Sequence, residues 1–174
     1  ANTRTTGLLI MRGDQILYER YYQGSAPDSR FISFSVGKSF VSSLIGIALA
    51  EGKIRSLDDL IVSYLPELKG GAYETATIRD VLEMSSGTSF NEEYTDAKSG
   101  IGGFIALFDQ NQGGLYDYSR KFKSARKPGE KFNYASADTE ILGALLAKVT
   151  GQRAADYMSE KLWKPMGAEG EARW

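Results

Sequence analysis

The chain has 174 residues, of which 42% are apolar and 25% charged, with a formal net charge of −1. That length and apolar content provide for one domain with a real core, and the balanced charge gives no general pull toward nucleic acid or anionic membrane. There is no Cys and no His, which excludes disulfides, thiol catalysis, the usual zinc sites and any Ser-His-Asp triad within the chain. A serine activated here needs Lys, Tyr or a carboxylate as its base. No metal or cofactor is expected. No apolar run is long enough to span a bilayer. The first residues, Ala1-Asn2-Thr3-Arg4, do not read as a signal peptide and lack an initiator Met, so the chain reads as processed or excised. The compartment stays open.

Gly7-Leu8-Leu9-Ile10-Met11 and Ile16-Leu17-Tyr18-Glu19-Arg20-Tyr21-Tyr22 are strand-like runs on either side of a Gly13-Asp14 turn, so a hairpin is expected over 7 to 22. A hairpin alone is marginal, and no later stretch supplies convincing further strands. A linker, Gly24 to Ser29, leads to residues 31 to 50. There Val36, Phe40, Leu44 and Ala48 recur every four residues, with Val41, Ile45 and Leu49 beside them. This spacing predicts a central, buried helix.

Lys38 is the only charge in those twenty residues. A lone buried ammonium is costly unless it is paired or loses its proton. Ser35 precedes it by three residues, on the same helical face. The pair has the geometry of a nucleophile beside its base. The pattern S-x-x-K also fits a plainer reading, in which the serine caps the helix and the lysine reaches solvent.

Gly52 ends that helix. Ser56-Leu57-Asp58-Asp59 reads as a capping box opening a short helix from Asp58 to Leu65, and Thr77-Ile78-Arg79-Asp80 as a second box opening a helix that runs to Gly87. Residues 85 to 100 form a polar loop of the kind that lines sites. Ile101, Phe104, Ile105 and Phe108 make a helical stripe ended by Gly113-Gly114. The basic run from Arg120 to Lys131, with Tyr118 and Phe122 among it, admits a nucleic-acid reading. The balanced total charge favours a solvated surface segment instead. Pro128 to Ser136 reads as a turn and a short extended piece. A helix with Ile141, Leu142, Leu145, Leu146 and Val149 on its apolar face follows, closed by Gly151. A last amphipathic helix is expected from Ala154 to Trp163.

Four stretches in order carry a resemblance: Ser35-Val36-Gly37-Lys38, Thr77 to Gly87, Phe132-Asn133-Tyr134-Ala135-Ser136 after Pro128-Gly129, and Trp163-Lys164-Pro165-Met166-Gly167. Together they resemble the serine β-lactamase and penicillin-recognising superfamily, on the branch of class C β-lactamases, D-alanyl-D-alanine carboxypeptidases and EstB-type esterases. The run Ser33 to Ser42 looks closest to the nylon-oligomer (6-aminohexanoate-dimer) hydrolases. The resemblance implies an α+β, β-lactamase-like fold. Residues 1–30 would give a sheet hairpin and linker, and 31–174 a mostly helical region with the catalytic residues.

It further implies Ser35 as acyl nucleophile, Lys38 as its base partner, and Tyr134 as the tyrosine of the Tyr-x-Asn/Ser motif. A Lys and a Tyr phenolate beside one serine can move the proton that an imidazole would carry. The plainer alternative for Tyr134 is a buried aromatic bonded to backbone. Ser136 would bind substrate, and Tyr94 resembles the substrate-contacting tyrosine of the nylon-oligomer branch. Ser136 stands where β-lactam-directed members carry Asn, which favours a small ester or linear amide as substrate. Members of the family continue with further strands, one of which supplies an oxyanion-hole N–H. The chain is therefore expected to be an N-terminal portion lacking the C-terminal strands, its hairpin completed by a missing C-terminal segment or a second chain. The competing readings are a non-hydrolytic penicillin- or peptidoglycan-binding sensor, and a β-lactamase or D-Ala-D-Ala carboxypeptidase.

Overall fold

A computed structural model describes residues 4–110 and 113–173. The readings that touch Ala1-Asn2-Thr3 and Trp174 lie outside the described residues. The chain divides into two compact units, up to Phe34 and from Ser35 onward.

The first unit is the expected hairpin. Strand β1 (Gly7–Arg12) pairs antiparallel with β2 (Gln15–Tyr21), Gly7 opposite Tyr21 and Arg12 opposite Gln15, with an irregularity in register between Ile10 and Met11. The turn is possible because Gly13 takes φ +62°, a left-handed conformation that costs glycine little. Leu8, Leu9, Ile10, Met11, Ile16, Leu17 and Tyr18 are all exposed. Among the described residues the sheet has two strands only.

The second unit is helical. Helix α1 (Gly37–Ala50) is preceded by a single 3-10 turn, Phe34–Val36, and buries Val41, Leu44, Ile45 and Ala48. Gly52, at φ +72°, closes it. The predicted apolar stripe therefore holds from Phe40 onward, with Phe40 partly buried against the core, and fails at Val36. Phe31, Ile32, Phe34 and Val36 are exposed, because regular helix begins only at Gly37 and the residues before it are out of phase with the buried face.

The first predicted box does not open a helix. Residues 58–65 hold a short 3-10 turn, Ile61–Ser63, and a second follows at Pro66–Leu68. Ser56 Oγ accepts from the Asp58 N–H at 3.1 Å, a local turn, and both aspartates are taken by side chains. Asp58 receives Arg79 Nε at 2.8 Å and Asp59 receives the Tyr64 hydroxyl at 2.7 Å. With its polar groups spent sideways, the segment has none left to nucleate a helix.

The second box forms as read. Thr77 Oγ1 accepts from the Asp80 N–H at 3.1 Å, and Asp80 Oδ2 accepts from the Thr77 N–H at 2.8 Å. The helix it opens, α2 (Ile78–Leu82), is shorter than expected. Met84 takes φ +52° and turns the chain before Gly87.

Ser99 caps α3 (Gly100–Asp109), and α4 (Leu115–Ser119) starts after Gly114. The basic run that follows, Arg120 to Lys131, is a mostly exposed irregular segment. Helix α5 (Ser136–Thr150) ends at Gly151 with φ +69°. The last helix, α6 (Ala154–Met158), continues as a π turn through Trp163.

The main core joins α1, α5, α6 and the segment from Ile54 to Val81 around Leu44, Ile45, Tyr73, Ile141 and Leu145, all fully buried. Truncating one of these aliphatics to Ala costs about 2–5 kcal/mol. A second cluster gathers Phe90, Phe104, Tyr118 and Phe122 edge to face, with centroid separations of 5.1 to 5.6 Å. Ala135 and Ala137 pack into it, which ties the start of α5 to this aromatic layer.

Candidate active site

Ser35 sits in the 3-10 turn ahead of α1, exposed, and Lys38 lies in the first turn of the helix, half-buried. Lys38 Nζ donates to Ser35 Oγ at 3.0 Å. The one-turn spacing read from the sequence thus brings the two together. The expected full burial of Lys38 is corrected: the α1 core face begins at Val41, and the first turn projects beyond it. Its cost argument therefore lapses, and the contact geometry takes its place. Phe34, immediately before Ser35, is held at φ +44°. A bulky aromatic in the left-handed region is strained.

Tyr134 is brought to the same place from the far side of the sequence. Lys38 Nζ lies over its ring, 5.2 Å from the centroid, so the cation meets the aromatic face while its hydrogen bond goes to Ser35. The extended piece carrying Tyr134 is pinned by backbone. Asn133 N–H donates to the Met84 carbonyl at 2.7 Å, and Asn133 Nδ2 donates to the Phe90 carbonyl at 3.0 Å. Upstream, Gly129 N–H donates to the Ser85 carbonyl at 2.8 Å, and Ala125 N–H donates to the Gly87 carbonyl at 2.8 Å. Gly87 is required at its position: φ is +82°, and a Cβ there would stand 2.3 Å from the Arg126 carbonyl oxygen.

Ser136 is the first residue of α5 and is buried. Its N–H donates to Glu92 Oε1 at 2.6 Å. The other Glu92 oxygen is buried with no hydrogen-bond partner among the described residues. The Tyr94 hydroxyl faces the same carboxylate. Glu92 first, then desolvation and the nearby Tyr134, push it above its ordinary value. Glu92 of the loop 85–100 is thus tied to the start of α5, and Tyr94 of the same loop stands near Tyr134.

Three carboxylates went unread in the sequence. Glu92 joins the site across 44 residues, and no local spacing announces such a contact. Glu140 lies one turn beyond Ser136 on α5, so its i, i+4 relation to Ser136 is a signal that was available. Desolvation raises its pKa, opposed by the charge of Lys38. Asp138 is buried in the first turn of α5. Its Oδ1 accepts from Ser86 Oγ at 2.8 Å and the Tyr73 hydroxyl at 3.0 Å. Burial lifts it to about 7 despite those two hydrogen bonds. Tyr73 in turn is pushed up by burial and by Asp138. Among the described residues no cluster of three acidic side chains is placed to hold a metal ion, and no helix is long and apolar enough to cross a membrane.

What this arrangement can do follows from its donors and acceptors. A hydroxyl is hydrogen-bonded to an amine, and the amine abuts a phenol ring. Solved structures share the architecture. The octameric penicillin-binding protein homologue of Pyrococcus abyssi superposes with a TM-score of 0.73 at 24% identity, covering 94% of this chain and 39% of that one. A D-stereospecific amidohydrolase of a Streptomyces species does so with a TM-score of 0.67 at 21% identity, covering 86% and 46%. These likenesses define a β-lactamase-like fold.

The Beta-lactamase family profile matches residues 2–170, and the chain belongs to that family. Among curated relatives, the 6-aminohexanoate-dimer hydrolase of Paenarthrobacter ureafaciens is 31% identical over 98% of this chain and 44% of its own length. A Beta-lactamase of Pseudomonas fluorescens is 27% identical over 76% of this chain and 34% of its own length. The chain thus spans less than half the length of the relatives it matches.

Proposed function

We propose that the protein is a serine hydrolase that cleaves a small ester or linear amide through an acyl-enzyme on Ser35. The single observation that carries this is the 3.0 Å hydrogen bond between Lys38 Nζ and Ser35 Oγ, made beside the Tyr134 ring in a chain without histidine. In this reading the Ser35 hydroxyl loses its proton to the Lys38–Tyr134 pair as Oγ attacks the carbonyl carbon. The tetrahedral intermediate collapses, and the pair returns the proton to the departing alkoxide or amine. Water, deprotonated by the same pair, then attacks the acyl carbon and releases the acid, restoring the Ser35 hydroxyl. Tyr94 and Ser136 contact substrate. The serine at 136 supports an ester or linear amide over a β-lactam.

The domain reading is part of the same proposal: residues 1–174 form the N-terminal portion of a single β-lactamase-like domain. The fraction of each relative that is covered supports it, as does a two-stranded hairpin with apolar side chains exposed along its length. Its edges would take further strands from a C-terminal segment or a second chain.

The test uses the full-length protein with p-nitrophenyl esters, nitrocefin and a linear aminohexanoate oligomer, and intact-mass detection of the acyl-enzyme. Steady turnover of ester or linear amide with the adduct on Ser35, lost in Ser35→Ala, is the expected result. One equivalent of adduct without turnover would favour the binding-sensor reading, preferred turnover of nitrocefin the β-lactamase one. No adduct on Ser35 would end the proposal.

A further inference from the structure

Tyr134 is exposed, so packing of its own ring does not fix where the phenol stands, and the chain on either side must do so. Both flanking holds come from one loop. Ahead of Tyr134, Asn133 Nδ2 donates to the Phe90 carbonyl at 3.0 Å, and behind it the Ser136 N–H donates to Glu92 Oε1 at 2.6 Å. The second hold is a side chain reaching across 44 residues to the first N–H of α5. That N–H is one of the donors a helix start leaves unpaired. The N-cap residue, Ala135, makes no side-chain cap hydrogen bond, and a carboxylate at this end meets the positive pole of the helix dipole. We propose that Glu92 is a positioning residue that acts through Tyr134, its carboxylate bolting the loop to the start of α5 and so holding the phenol ring beside Lys38.

The loop that carries Glu92 is itself firmly held. Asn91 Oδ1 accepts from the Gly100 N–H at 3.3 Å, and the Asn91 carbonyl accepts from the Ile101 N–H at 3.0 Å, which fastens the loop to the first turn of α3. The approach is so close that a Cβ on Gly100 would stand 2.7 Å from the Phe90 ring, and Phe90 is buried in the aromatic cluster. The carboxylate faces protein on its other side as well. Glu92 Oε2 is buried, and the Tyr94 hydroxyl faces the group. A carboxylate closed off in this way serves the protein and not the substrate, which separates its role from the contacts proposed for Tyr94 and Ser136.

The inference rests on the hydrolase reading for its catalytic meaning, but one of its two readouts does not. Lys38 Nζ lies over the Tyr134 ring, so the ring current shifts the Lys38 ε-methylene protons, and Tyr134→Ala gives the position without it. In full-length protein with labelled lysine, Glu92→Ala is expected to move that resonance most of the way to the Tyr134→Ala position. Glu92→Gln, whose amide oxygen still accepts from the Ser136 N–H, should stay near wild type. The second readout is the rate at which a fluorophosphonate labels Ser35. Glu92→Ala should slow it about tenfold or more, Glu92→Gln should recover most of that loss, and in a Tyr134→Phe background Glu92→Ala should cost less than about threefold. An unchanged Lys38 resonance in a folded Glu92→Ala overturns the inference. So does an equal effect of Glu92→Ala on labelling in both backgrounds, or a loss in Glu92→Gln as large as in Glu92→Ala. Should Glu92→Ala not fold, Glu92→Asp, one methylene too short to reach, is judged by the same rules. If wild-type Ser35 does not label, the hydrolase reading fails and the Lys38 resonance alone decides the positioning role.

Discussion

Helices α1 and α5 both begin at the candidate site, and they are anchored in opposite ways. The start of α1 is exposed. Val36 is its N-cap residue and makes no side-chain cap hydrogen bond, and the residue before Ser35 is held at positive φ. The start of α5 is buried from Ala135 to Asp138. Glu92 takes its first N–H, Ser86 and Tyr73 grip Asp138, and Asn133 is tied to Met84 and Phe90. Structural rigidity is therefore invested in the tyrosine side, while Ser35, the proposed nucleophile, sits on a lightly held turn where it is bonded to Lys38. A proton-transfer group works only if its position is fixed, whereas a nucleophile that must accept an acyl group needs room around it.

That contrast is open to attack at several points, in falling order of effect. Replacing Lys38 with Ala should lower the rate of Ser35 acylation about 1,000-fold or more while leaving the melting temperature close to wild type. A large loss of stability with intact chemistry would reverse the assignment of roles between the two helix starts.

Next is Asp138. Burial raises its pKa to about 7 in the folded protein, so the folded chain keeps a proton that the unfolded chain gives up near pH 4. The folded state binds more protons across that window, and its stability falls as pH rises from about 4 to 7. The penalty above pH 7 is about 3–5 kcal/mol. Asp138→Asn, compared with wild type by urea unfolding across pH, should be more stable by a few kcal/mol at pH 8 and lose that advantage at pH 4. A difference that does not vary with pH would contradict it.

Gly87→Ala should cost about 2–4 kcal/mol by thermal unfolding, since both its φ and the Arg126 carbonyl exclude a Cβ. Because this glycine helps pin the Tyr134 segment, kcat should fall together with stability. The smallest effect is expected at Thr77→Ala, which removes one half of a formed capping box. About 1 kcal/mol should be lost, with catalysis unchanged.

How much was legible in the sequence depends on the range of the interactions. Local patterns translated well. The turn at Gly13, the box at Thr77, the end at Gly52 and the closure at Gly151 each follow from a few adjacent residues. The Ser35–Lys38 contact is also local, a matter of helical spacing. The box at Ser56 failed because its aspartates are claimed elsewhere, Asp58 by Arg79 from 21 residues on, and Asp59 by the nearby Tyr64 and Arg55. Apolar periodicity placed the α1 core face but overestimated the burial of Lys38, since it carries no information on where a helix emerges from its neighbours. Tyr134 and Ser136 are proposed through a motif, and Tyr94 through family likeness. Glu92 and Asp138 were not found, because their partners lie 44 and 52 to 65 residues away and nothing in their own neighbourhood marks them.

The central claim is that an amine and a phenol jointly replace the imidazole absent from this chain. It is tested most directly by the second-order rate of Ser35 labelling with a fluorophosphonate, in full-length protein, for Lys38→Ala, Tyr134→Phe and the double variant. Joint action predicts that each single change slows labelling at least about 100-fold, and that the double variant is little slower than the worse single. A Tyr134→Phe protein that labels within twofold of wild type, or single effects that simply multiply, would contradict it.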